Sequence, residues 1–388
     1  MKKNKNFLYL FILLLFITFL YSQEQCYPKF GDIFGLSNLP IQTYGFFIAM
    51  GFLFGAMFLK EELKRLHIEG KIHAIKRKKE NQYENIFNLM FSFFIGYQFL
   101  FIVNGNYQLF LENPQIILSL HLESSISELI LCIISGFSFA FLTFYLNNKE
   151  KVDDSEFIKP HELIGNLLGV TLISGVLGAK LFYLFETEIS WENFISFGGL
   201  TFYGGLICGT LGVITYAKVN KISIPHIADA FAPILMLAYA IGRVGCQVSG
   251  DGCWGVENTA KSPKLIPEWL WSAQYINGTS SGNNMLDNNI FVWPTPIYET
   301  IMCLLIFGIL WSIRKKIKTG GVLFSIYLIL NGMERFFIEE IRVNEKLIWF
   351  KNLTSIEITQ GQLIAILLFS IGTLLTLNLL KKRKNAII

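Results

Sequence analysis

The sequence predicts an all-α fold: a polytopic helical membrane protein with about nine transmembrane helices after an N-terminal signal peptide or signal anchor. Three observations predict it. Of 388 residues, 52% are hydrophobic and 16% charged, whereas soluble domains carry about 25% charged residues. Apolar stretches close to the roughly 20 residues that cross a bilayer recur along the whole chain. They are continuous rather than alternating, so the backbone satisfies itself in lipid as helices and not as a barrel.

The first 22 residues stand apart, with Lys2, Lys3 and Lys5 ahead of an apolar run from Phe7 to Leu20 and small and polar residues around Ser22. That order is the grammar of a secretory signal, read as either cleaved after Ser22 or kept as an anchor. Gln25, just before Cys26, does not fit the small residues that precede a lipid-modified cysteine, so the chain is not itself read as a lipoprotein. Nine apolar runs follow, near residues 43–59, 86–103, 126–146, 163–185, 199–217, 227–247, 297–313, 321–341 and 361–380. Residues 23–388 read as one transmembrane domain, with a long periplasmic loop at 248–296.

Lysine and arginine set the expected orientation. The segments 60–80, 149–159, 218–221 and 314–318 and the tail at 381–384 are basic, while 104–125 and 186–198 contain no Lys or Arg. The positive-inside rule then places the mature N-terminus outside and the C-terminus in the cytoplasm. The net charge of +4 is therefore topological and does not point to nucleic acid. Three basic residues remain within or at the edge of spans, Lys180, Arg243 and Arg335. An ionisable group in the hydrocarbon costs at least about 2.5 kcal/mol on insertion scales, which makes each a functional candidate. Lys180, near the end of its run, is equally well read as snorkelling.

Three segments gather residues that break or polarise a membrane helix. In Gly198-Gly199-Leu200-Thr201-Phe202-Tyr203-Gly204-Gly205, paired glycines permit close backbone approach to another helix or to a ligand. In Gly242-Arg243-Val244-Gly245-Cys246-Gln247-Val248-Ser249-Gly250-Asp251-Gly252-Cys253-Trp254-Gly255, an arginine runs into a glycine-studded turn bearing a carboxylate. It suits a guanidinium reaching a phosphate by paired charge-assisted bonds, or an Arg243–Asp251 structural pair. In Asn331–Arg342, Arg335 and Glu339 are i,i+4 neighbours, which fits either a ligand site or an internal ion pair.

At these residues the chain resembles the prolipoprotein diacylglyceryl transferases of the bacterial cytoplasmic membrane. Tyr44-Gly45 looks like that family's tyrosine-glycine in its first helix, and Gly178-Ala179-Lys180 like its glycine-alanine-arginine segment. Tyr203, flanked by glycines, sits where the family has a histidine-glycine-glycine motif, and residues 242–255 are similar to its arginine-glycine-asparagine signature. Pro294-Thr295-Pro296-Ile297-Tyr298-Glu299 resembles the start of a later family helix, and Arg335, Glu339 and Arg342 its arginine helix. Two runs, 86–103 and 126–146, look additional to the usual seven and keep the downstream orientation.

The resemblance implies transfer of a diacylglyceryl group from phosphatidylglycerol to the lipobox cysteine thiol of a prolipoprotein, in the bilayer and without metal or cofactor. It implies Tyr203, Arg243 and Arg335 as catalytic residues, the arginines stabilising the departing phosphate with Asp251 and Glu339 orienting them. Tyr44, Gly204, Gly205, Asp251, Gly255, Glu339 and Arg342 are implied as substrate-binding. The chain departs from the pattern at the base: a tyrosine, with an ordinary pKa near 10, replaces a histidine near 6.5. Cys246 stands for the first asparagine, Ser249 for the second, Asp251 for glutamate and Asn331 for tyrosine. None of the five histidines replaces the base, and no zinc spacing appears. Cys26, Cys246 and Cys253 fall on the oxidising side, where a Cys246–Cys253 disulfide is one reading. A different class, a non-catalytic phospholipid-binding membrane protein or transporter, stays open, although no internal repeat favours transport.

Overall fold

The computed structural model describes residues 25–35, 41–76, 82–106, 125–149, 157–187, 201–276, 278, 290–344, 346–348, 351 and 357–385. The signal segment, most of the loop at 186–198 and Gly198-Gly199-Leu200 lie outside these. Among the described residues, each of the nine apolar runs is helical: α1 (Thr43–Ile68), α2 (Gln82–Phe101), α3 (Ile126–Lys149), α4 (Ile164–Glu186), α5 (Phe202–Val219), α6 (Ile224–Ser249), α7 (Thr295–Ile313), α8 (Val322–Glu339) and α9 (Gln360–Asn385). Among the described residues, α1, α3, α4, α6, α7 and α9 are long and apolar enough to cross a membrane. The chain is an all-α, multi-pass membrane protein. α8 falls short of that apolarity because it carries Glu334, Arg335 and Glu339, the residues on which the site depends.

α1 runs past the expected end of its apolar stretch at residue 59. Leu59, Glu62, Leu63 and Leu66 keep one face buried while Lys60, Glu61 and Lys64 face away, so helical amphipathicity carries the element on after hydrophobicity ends.

The chain divides into two compact units, Met1–Leu66 with Ile224–Ile388, and His67–Ser223. In the first, α6, α7 and α8 pack against one another and α8 packs on α9. One part of its core joins Phe47 and Phe54 of α1 to Ile241, Val244 and Val248 of α6; another joins Met236 to Cys303, Leu310 and Leu323. Buried Glu62 pairs with Arg65 at 2.5 Å and Arg314 at 3.1 Å, and the Arg314 guanidinium lies 3.4 Å from the Trp311 ring centroid. Asp229 on α6 accepts hydrogen bonds from the amides of Gly321 and Phe324, each at 2.8 Å. Those amides open α8 and have no intrahelical acceptor, so this intramembrane carboxylate is a helix cap. Asp229→Ala is expected to destabilise the protein by about 1–2 kcal/mol, read as a lower unfolding midpoint in detergent, with Asp229→Asn keeping part of the effect.

In the second unit, α2 and α3 pair, and so do α4 and α5. Ser135 Oγ donates to the Gly96 carbonyl at 2.8 Å and Thr143 to Ser92 at 2.8 Å, joining the α2–α3 pair by hydrogen bonds inside an apolar environment. A short antiparallel ladder, β1 (Ile75–Lys76) with β2 (Phe157–Ile158), completes the unit.

Candidate functional site

The polar centre of the first unit lies where α6 ends, α7 begins and α8 ends. It is organised by a residue the basic-charge argument passed over, Glu299 on the second turn of α7, which is 0% exposed. Arg243 Nε pairs with Glu299 Oε2 at 2.9 Å. Arg335 Nη1 and Arg342 Nη1 donate to Glu299 Oε1 at 3.3 and 3.2 Å, and the Tyr239 hydroxyl donates to the same oxygen at 3.2 Å. Arg243 also donates to the Tyr239 hydroxyl at 3.3 Å, with its guanidinium 5.0 Å from that ring's centroid. The alternative Arg243–Asp251 pair does not form; Glu299 takes the guanidinium instead.

Arg335 and Glu339 form the i,i+4 pair expected from spacing, at 2.8 Å. Glu339 is fixed in turn by hydrogen bonds from the Thr359 hydroxyl, at 2.9 Å, and the Asn344 amide. Three guanidiniums thus touch two carboxylates, leaving one positive charge in excess among the groups in direct contact. Arg342 Nε is buried without an acceptor among the described residues. Glu334, beside Arg335, has both carboxylate oxygens buried without a hydrogen-bond partner among the described residues.

Arg342 lies beyond α8, and backbone pairing holds it there. Gly255 bridges Arg342, Val256 N donates to Ile341 O at 2.8 Å, and Gly255 N donates to Trp293 O at 2.9 Å. A Cβ on Gly255 would lie 2.5 Å from Ile341 O and 2.8 Å from Trp293 Cβ, so glycine is required by close approach. Gly255→Val is expected to cost about 1–3 kcal/mol and to displace Arg342, measured as a lower unfolding midpoint.

The segment between Arg243 and Gly255 folds sharply. Gly250 and Gly252 adopt left-handed φ of 62° and 88°, which turns the chain after α6 and returns Cys253 to Cys246. Gly250 N donates to Cys246 O at 3.0 Å and Thr295 Oγ1 donates to Cys253 O at 2.6 Å, so both limbs are anchored. The Cys246, Asp251 and Cys253 donor atoms lie within 4.8 Å of one another, and Arg243 Nη1 is 3.8 Å from Cys246 Sγ. All six cysteines are free; Cys246 hydrogen-bonds Cys253 and forms no disulfide. That hydrogen bond, with Arg243 and Arg342 nearby, holds the Cys253 thiol below its ordinary range against burial and Asp251. Burial, with the Asp251 charge, pushes Cys26 up to about 12. Tyr44 on α1 is 42% exposed and within electrostatic reach of Cys246, Asp251, Cys253 and Arg243.

Beside the arginines, Trp271, Trp293, Tyr298, Ile301, Met302 and Ile341 line an apolar cavity of about 450 Å³. A larger cavity of about 860 Å³ is lined by Gln247, Asn258, Trp269, Gln274 and Phe291 among others. Trp271 donates from Nε1 to Ala260 O at 2.8 Å and meets Trp293 edge to face, so it holds this segment together.

Tyr203, Gly204 and Gly205 belong to the second unit. Gly204 abuts the Gly178 carbonyl and Phe182, and a Cβ on Gly205 would lie 3.3 Å from Gly175 O. Gly204 and Gly205 thus pack closely on α4. Lys180 on α4 is buried, with Nζ 5.1 Å from the Tyr183 ring centroid.

Accounting for acidic as well as basic residues within the apolar runs would have singled out Asp229, Glu299 and Glu334 from the sequence. Tyr239 and Thr359 gave no such signal, because neither residue type is unusual in a helix or at its start.

A family model described as prolipoprotein diacylglyceryl transferase matches residues 115–378. α1, with Tyr44, and α2 lie outside that match. The chain is 36% identical over 160 residues to the phosphatidylglycerol--prolipoprotein diacylglyceryl transferase of Leptospira interrogans serovar copenhageni, covering 40% of this chain and 45% of that protein. It is 31% identical over 226 residues to the protein of the same name from Clostridium botulinum strain Hall, covering 57% of this chain and 82% of that one. The match thus spans less than half the length of the Leptospira relative. With the family match covering most of the chain, this multi-pass membrane protein belongs to the prolipoprotein diacylglyceryl transferase family.

Proposed function

We propose that this chain transfers the diacylglyceryl group of phosphatidylglycerol to the lipobox cysteine thiol of prolipoproteins, forming a thioether and releasing glycerol phosphate. The observation that carries the reading is the cluster of Arg243, Arg335 and Arg342 on one buried carboxylate, with the Arg342 Nε donor lacking an acceptor among the described residues. A phosphate carries the charge that this excess of guanidinium favours. At an effective dielectric near 20, each guanidinium about 4 Å from an anion contributes about 4 kcal/mol of attraction before desolvation. Charge grows on the phosphate as the glyceryl C–O bond breaks, so the same groups favour the transition state over the bound lipid.

On this reading Arg243 and Arg335 stabilise the leaving phosphate, Arg342 and Tyr44 bind the headgroup, and the neighbouring apolar cavity receives an acyl chain. Glu339 orients Arg335, Gly255 sets Arg342, and Asp251 lies on the acceptor side. Gly204 and Gly205 support Tyr203. Glu299 balances the guanidiniums when no lipid is bound. On the same reading residues 23–388 are one transferase domain, with the mature N-terminus outside and the C-terminus cytoplasmic.

The test is whether membranes containing the protein add a diacylglyceryl mass to a lipobox peptide from labelled phosphatidylglycerol. No product from folded protein rejects the proposal. A tyrosine hydroxyl donates a hydrogen bond more readily than it takes up a proton, so Tyr203→Phe is expected to weaken lipid binding by about 0.5–1.5 kcal/mol and to spare turnover at saturation. A loss confined to turnover would restore the base role.

A further inference from the structure

We infer that Cys246, Asp251 and Cys253 form a three-ligand site for a zinc-type metal ion whose fourth position takes the acceptor thiol. The acceptor's identity rests on the transferase reading above, whereas the metal site does not. The spacing of the two cysteines is outside the usual zinc patterns, so the sequence alone expected no metal. The fold supplies what the spacing lacks: the left-handed turn at Gly250 and Gly252 brings both sulfurs and a carboxylate oxygen within 4.8 Å. Tetrahedral zinc with Zn–S bonds of about 2.3 Å needs sulfurs about 3.8 Å apart, a separation this cluster reaches with little movement.

Asp251 Oδ1 is buried without a hydrogen-bond partner among the described residues. A buried carboxylate oxygen without a donor is costly, and a cation removes that cost. Arg243, the natural counter-ion in sequence, is committed to Glu299. Charge is also consistent: two thiolates and a carboxylate around a divalent ion leave one negative charge, with Arg243 Nη1 3.8 Å from Cys246 Sγ to meet it. Thiolate donors select zinc over magnesium or calcium, and three protein ligands with an open position are the pattern of catalytic rather than structural zinc.

The open position explains how the chain dispenses with a histidine base. A thiol that binds zinc gives its proton to solvent and remains as thiolate. Its sulfur then attacks the glyceryl methylene, the C–S bond forms, and the C–O bond breaks with its electron pair passing to the phosphate oxygen held by the arginines. Atoms and charge balance without an oxidant. With an ordinary thiol pKa near 8.5, only about 3% is thiolate at neutral pH, so coordination raises the rate by up to about 30-fold.

The test uses the full chain purified in detergent. About one zinc per chain is expected by elemental analysis, and cobalt(II) added to stripped protein should give a thiolate-to-metal charge-transfer band. Cys246→Ser and Cys253→Ser should each remove the band, and Asp251→Asn should weaken it. The wild-type spectrum needs no variant to fold. No band, or a native mass two hydrogens lighter from a Cys246–Cys253 disulfide, overturns the inference. Full-rate transfer to a lipobox peptide by zinc-free protein overturns it too, and leaves the transferase reading intact. Zinc bound without transfer to any lipobox peptide overturns the thiol-activating role together with the transferase reading and upholds the metal site alone.

Discussion

On the proposed transferase reading, Arg335→Ala is expected to lower diacylglyceryl transfer by about 10²–10³-fold, the loss that follows removal of one fixed donor from a site of developing negative charge. Arg335 touches both Glu299 and Glu339, and Glu339 keeps its bonds from Thr359 and Asn344 when the guanidinium is gone. The fold should therefore outlast the activity, seen as an unfolding midpoint near wild type beside a collapsed turnover. Arg335→Lys keeps the charge but loses the fork that spans two acceptors, so it should recover only part of the rate. An equal fall in lipid affinity with turnover unchanged would make Arg335 a ground-state binder only.

Glu299 is expected to show the opposite balance. Its carboxylate is the shared partner of Arg243, Arg335 and Arg342 and accepts from Tyr239. Glu299→Leu strands three guanidiniums in a buried site, and breaking such a pairing costs about 3–5 kcal/mol, enough to remove most folded protein from the membrane. Yield after detergent extraction and thermal unfolding would register it. Glu299→Gln retains an acceptor and the side-chain volume, so it should fold better than the leucine variant. Wild-type yield from Glu299→Leu would mean that the arginines are not electrostatically dependent on this residue.

These two residues show how differently the site could be read in advance. Arg335 and its i,i+4 partner were evident, because helical spacing fixes which side chains are neighbours and a charge in an apolar run is anomalous by itself. Glu299 belonged to a segment already notable for its resemblance, yet its arginine partners lie 36 to 56 residues away in sequence, on α6 and on or just beyond α8. Spacing carries no information across that distance. Asp251 is the converse: proximity in sequence suggested Arg243 as its partner, and the Gly250–Gly252 turn places it with two cysteines instead.

By itself, the sequence determined that this is a helical membrane protein, where the helices of its apolar runs lie among the described residues, and which family's motifs it carries. Those properties follow from hydrophobicity, helical periodicity and residues adjacent along the chain, all of which are local. Tertiary structure decided that three arginines converge on Glu299, that Gly255 pairs with the backbone of Arg342, and that Cys246, Asp251 and Cys253 meet. Each of these joins distant segments or depends on a left-handed turn, and only helix packing and backbone geometry determine which side chains then face each other.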